Sequence, residues 1–135
     1  MTVQLSVAVR NAMLDAIETT VGTSAVLKIR TGAAPADCAT ADSGTVLATL
    51  SLPSDWMAAA SSGSKAKSGT WQDASADATG TAAHFRLYAS DGTTCGAQGT
   101  VTATGGGGDL TVDNTSFASA QSFTITSFTL TAGNA

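Results

Sequence analysis

Near Gly22 the apolar repeat of this chain changes period, and that change restricts the folds open to it. Upstream, in residues 6–21 ("SVAVRNAMLDAIETTV"), Val9, Met13 and Ile17 recur every four residues with Ala12 and Ala16 beside them. Arg10, Asn11, Asp15 and Glu18 fall on the opposite arc. This spacing predicts one amphipathic helix, with Ser6 as its N-cap and Gly22 as its stop. Such a stripe ordinarily packs against the protein's own sheet; a sharper reading has the helix also meet a neighbouring subunit. Downstream of residue 25 the repeat is two. In "AVLKIRT", Leu27 and Ile29 alternate with Lys28 and Arg30, as in a half-buried strand.

Further strands are expected at "TVLATLSL", "KAKSGTW", "TAAHFRLYAS", "AQGTVTA", "DLTVDN" and "QSFTITSFTLTA". Between them lie turn-rich segments such as "GAAPADCATADSG" and the Asp-Gly turn of "SDGTT"; "SDWMAAASSGS" reads as a short turn of helix. In the clearest strand His84, Arg86 and Tyr88 share one face, expected to be exposed, and Phe85, Leu87 and Ala89 share the other. In the last strand strict alternation puts Phe123 and Ile125 on one face and Phe128 and Leu130 on the other. A bulge near Thr126-Ser127 would return both pairs to the core. About seven or eight short antiparallel strands with regular turn signals predict a mainly β fold, a β-sandwich or jelly roll. Residues 1–135 are expected to form a single domain, with the N-terminal helix at about 6–21 and the sandwich at about 25–132.

Composition sharpens this. The chain carries 26 Ala, 22 Thr and 15 Ser against 16 charged residues, so short side chains with little entropy to lose dominate its surfaces. A net charge of -4 and the lack of any Lys/Arg cluster argue against a nucleic-acid partner. No apolar run is long enough for a membrane span, and no basic region followed by an apolar core opens the chain. Synthesis and assembly in a cytoplasm are therefore expected. Cys38 and Cys95 sit in turn-like segments and could form one disulfide, although a cytoplasmic origin favours free thiols.

No catalytic residue, cofactor or metal site is expected. His84 is the only histidine, and no Gly-x-Ser-x-Gly elbow accompanies it. The acids Asp37, Asp42, Asp91, Asp109 and Asp113 lie mostly in turns, and no calcium-loop pattern surrounds Asp109, Thr111 and Asp113. The run Gly105, Gly106, Gly107, Gly108 lacks the Lys-Ser/Thr and following helix of a phosphate loop, and Asp109 beside it would repel phosphate. It reads as a flexible connection between two strands, about two glycines longer than a tight hairpin needs. That excess points to an intersubunit contact or a disordered tip.

The helix, together with "GTAAHFRLYASDGTTC", "GTVTATGGGGDLTVDN" and "SFTITSFTLTAGNA", resembles small structural proteins of tailed bacteriophages. The nearest functional analogy is with jelly-roll cement, or decoration, proteins on the outside of capsids built from an HK97-type shell protein. The resemblance implies a non-enzymatic virion protein on the capsid exterior that binds the major capsid protein and bridges neighbouring capsomers. Self-association as a dimer or trimer is expected. The C-terminal strand, uncharged from Asn114 to Ala135, should be buried in the sheet or paired across subunits. Candidate interface residues are Trp56, Trp71, His84, Arg86, Tyr88 and Gly105 to Gly108. Two other readings remain open: a tail, neck or fibre-associated protein, and a carbohydrate-binding module with Trp56, Trp71 and Tyr88 as an exposed stacking platform.

Overall fold

In a computed structural model, which describes residues 3–133, helix α1 spans Val7–Val21. Ser6 caps it by accepting from the Val9 N–H, and the Gly22 N–H closes its end on the Glu18 carbonyl. Ten strands follow: β1 (Val26–Arg30), β2 (Val46–Ser51), β3 (Ser64–Ala66), β4 (Gln72–Asp73), β5 (Gly80–Thr81), β6 (His84–Tyr88), β7 (Cys95–Ala103), β8 (Leu110–Val112), β9 (Ser116–Phe117) and β10 (Phe123–Thr131). The fold is mainly β, a sandwich preceded by one helix.

Eight strands form a sheet in the order β2-β1-β6-β7-β8-β10-β3, with β4 also on β10, and β5 pairs with β9 separately. Two nine-residue strands make it continuous. β7 pairs with β6 through Thr100 and with β8 from Val101 onward, while β10 passes from β4 to β8 to β3. The C-terminal strand therefore lies inside the sheet. Its register slips between Ile125 and Ser127, as its broken alternation predicts. Thr126 is the extra residue, and Phe123, Ile125 and Phe128 all reach the core while Leu130 packs at its margin.

The core lies between strands distant in the sheet order. Phe85 of β6 meets Phe128 of β10 edge-on at 5.5 Å, Trp71 stacks obliquely on Phe128, and Trp56 packs on Trp71. Rings of this size remove the most apolar area from water per residue, which suits a chain with few large side chains.

Two expectations are corrected. The segment "SDWMAAASSGS" forms no helix: it runs beside α1 and turns back at Ser61–Ser64 into β3. The strands are also not all antiparallel, because β7 and β8 pair in parallel, Val101 opposite Leu110 and Ala103 opposite Val112. Parallel neighbours normally need a crossover of a dozen residues or more. Here Thr104 to Asp109 suffice, because the glycine run turns back beside its own strand. Gly105 and Gly107 hold φ of 86° and 81°, while a Cβ on Gly106 or Gly108 would stand 2.8 Å from Thr102. Positive φ and close approach alternate along the run, so each of the four positions requires glycine.

Candidate assembly surface on the N-terminal helix

The residues singled out in the sequence occupy the interior. Trp56, Trp71, His84, Arg86 and Tyr88 are each 2% exposed or less, which corrects the expectation that they form an interface or a sugar platform. The two indoles are core residues, with Trp56 Nε1 donating to the Gly22 carbonyl and Trp71 Nε1 to that of Ser68. The polar face of β6 is covered by the loop joining β1 to β2. Arg86 donates to the Asp37 and Thr40 carbonyls at 2.8 and 2.9 Å and pairs with Asp42. Arg30 Nη2 and Tyr88 Oη donate to the same carboxylate at 2.8 and 2.7 Å, and Gln98 donates to the Pro35 carbonyl. His84 Nδ1 lies 2.7 Å from the Gly32 carbonyl, which makes Nδ1 the protonated nitrogen.

Cys38 of this loop is joined to Cys95 of β7 by a disulfide, with the two Cα atoms 5.3 Å apart. The strap is thus closed covalently, against the expectation of free thiols. Burial pushes the Asp42 carboxyl up, but Arg86, Tyr88 and Arg30 outweigh it and hold the group below the usual carboxylate range. Burial and the bond to Asp42 raise the Tyr88 phenol in turn.

Helix α1 docks through its polar arc. The segment ahead of β3 leaves backbone N–H groups without strand partners, and the helix supplies the acceptors. Gly63 donates to Asn11 Oδ1 at 2.9 Å, Ala60 to Asp15 Oδ1 at 3.0 Å and Met57 to Glu18 Oε1 at 3.1 Å. Lys65 Nζ bridges Asp15 and Glu18 at 2.7 and 2.9 Å. Burial pushes the Lys65 ammonium down, but these two partners outweigh it and raise it above the ordinary lysine value. Arg10 reaches the Ala132 carbonyl, and Leu14 is the one fully buried side chain of the helix.

The apolar stripe consequently faces outward, the reverse of the ordinary packing expected. Val7, Val9 and Met13 are 46–52% exposed and Val3 is 80% exposed; these are the large exposed hydrophobics among the described residues. Beside the stripe runs a mainly apolar groove of about 370 Å³, lined by Met13, Ile17 and Val21 of the helix and by Ala89, Cys95 and Gly96.

The remaining surface is short on charge. All six Lys and Arg residues are buried or half-buried with partners within the fold: besides those above, Lys28 donates to the Gly92 carbonyl and covers the Tyr88 ring, and Lys67 donates to the Gly69 carbonyl. The glycine run is held by its own chain. Gly108 donates to Thr102 Oγ1, while Asp109 Oδ2 accepts from both the N–H and the hydroxyl of Thr100. Those Thr100 bonds outweigh burial and keep the Asp109 carboxyl below its usual range.

No family model, curated protein or solved structure matches the chain.

Proposed function

We propose that the chain is a non-enzymatic structural protein of a virion, a decoration protein that seats on the outside of a shell and bridges neighbouring capsomers. The observation that carries this reading is the outward apolar face of α1 on a body clamped by a disulfide and by the ion pairs of two buried arginines with Asp42. A stripe of this kind on a rigid support matches the requirements of an assembly contact, since little entropy is lost when it is covered. The six Lys and Arg residues are scattered and buried or half-buried, so the described surface offers phosphates no basic stripe, which supports the reading without nucleic acid. The burial of Trp56, Trp71 and Tyr88 removes the platform that a carbohydrate-binding module needs.

The test is to mix the purified protein with shells from which it has been stripped, sediment the shells and image them. Retention at regular positions over the shell, with loss of packaged DNA on heating when the protein is absent, is the expected result. Density confined to one vertex or to the tail would move the protein to a tail or neck role. No retention, with unchanged DNA release on heating, would refute a decorating function.

A further inference from the structure

We propose that two copies of this chain pair through their N-terminal helices, antiparallel about a two-fold axis, each laying its N-terminal arm toward the other's groove. This rests on reading the outer helix face as an assembly surface. Val9, Met13, Ala16 and Thr20 are all exposed and follow one another at intervals of four, three and four residues, the spacing of a seam between paired helices. With the axis between Met13 and Ala16, Met13 of one copy faces Ala16 of the other, and Val9 faces Thr20. A long side chain then lies over a methyl group, and two β-branched side chains of similar size meet. Parallel pairing in register would set Met13 on Met13 and Ala16 on Ala16, crowding one level and leaving a void at the next.

Electrostatics favour the same occupant. Arg10, Asp15 and Glu18, the charges of the helix, are all bonded to its own body, so two copies with net charge -4 can meet on an uncharged seam. Antiparallel helices also place opposite dipole ends together. Area decides the role of the arm. The seam from Val9 to Thr20 is only about 16 Å long, too short by itself to bury the roughly 800 Å² per partner of a stable interface. In the antiparallel arrangement the exposed Val7 at the start of the helix, and Val3 ahead of it, extend past the C-terminal half of the other helix. The groove beside Ile17, Val21, Ala89 and Gly96 lies along that half. A lipid surface is the weaker occupant, because among the described residues no Lys or Arg stands on the exposed helix face to draw it to anionic headgroups.

Sedimentation velocity across a concentration series tests the pairing. The wild-type chain is expected to dimerise, while Met13→Lys and Ala16→Glu each weaken the dimer by roughly tenfold or more. Mixing these two variants restores a dimer, because Lys at 13 then faces Glu at 16. As a check independent of charge, oxidised Met13→Cys/Ala16→Cys gives a covalent dimer and Met13→Cys alone does not. A wild type that stays monomeric, or that floats with neutral phospholipid vesicles in place of pairing, overturns the inference, and so does a mixture that fails to restore the dimer. A monomer that still sediments with shells overturns the pairing and leaves the structural role standing. A dimer that ignores shells does the reverse.

Discussion

Strand β6 buries a face made of His84, Arg86 and Tyr88, whereas helix α1 exposes one made of Val9, Met13 and Ala16. Polarity alone predicts the opposite in both places. The difference lies in what each neighbouring loop requires. The strap over β6 brings carbonyls and one carboxylate that satisfy the guanidinium groups and the phenol, so burial leaves few donors unpaired. The segment beside α1 brings backbone N–H groups that donate to the polar arc of the helix. In each case an irregular segment turned the regular element by its demand for hydrogen-bond partners, and apolar area followed.

The largest effect that would break this comparison comes from releasing the strap. Replacing Cys38 and Cys95 with Ala removes a crosslink across 57 residues, which the chain-entropy account values at about 4 kcal/mol. Urea denaturation of the variant, set beside wild type with and without reductant, checks this. An unshifted midpoint would mean that the polar network alone holds the strap in place.

Next in size is Asp42, which answers Arg30, Arg86 and Tyr88 together. Asp42→Ala leaves two buried guanidinium groups without their counter-charge; because the carboxylate itself is 39% exposed and partly screened by water, the cost is about 2 kcal/mol, below that of a fully buried pair, and should appear in the same denaturation series. Its pH dependence follows from the lowered carboxyl. The stabilisation is fully present above the ordinary carboxylate value and is lost as pH falls through the lower folded value. The gap between wild type and Asp42→Asn should therefore hold at neutral pH and close in acid. A gap that widened on acidification would contradict the network. Asp91, held at about 2 mainly by the Thr94 hydroxyl and backbone, titrates in the same direction but braces a turn far more open to water.

Much of this molecule was legible in the sequence where a local rule sufficed. Ser6 and Gly22 bounded the helix because caps act within one turn. The bulge at Thr126 was visible because alternation cannot seat Phe123, Ile125, Phe128 and Leu130 together without it. What stayed hidden depended on partners remote in the chain. Arg86 and Asp42 lie 44 residues apart and Asn11 and Gly63 lie 52 apart, and no period in the sequence records such pairings. The glycine run was hidden for a different reason: Thr102 is near in sequence, but it crowds Gly106 and Gly108 only because the chain turns back to pair β8 in parallel with β7. The assembly surface was half legible: the stripe itself was clear, but the side it faced was not.

The smallest expected effect on stability offers the sharpest comparison, because it sets adjacent residues of one helix against each other. Leu14 is 3% exposed and Met13 is 52% exposed. Leu14→Ala should cost about 2–4 kcal/mol through the cavity it leaves, whereas Met13→Ala should shift the monomer by no more than about 0.5 kcal/mol. Measured in thermal or urea unfolding at concentrations low enough to exclude self-association, that contrast isolates the docking of the helix from anything it binds. A large loss at Met13 with little change at Leu14 would mean that the helix packs through its apolar stripe after all. The outer face would then be core, and both the assembly surface and the pairing built on it would fall.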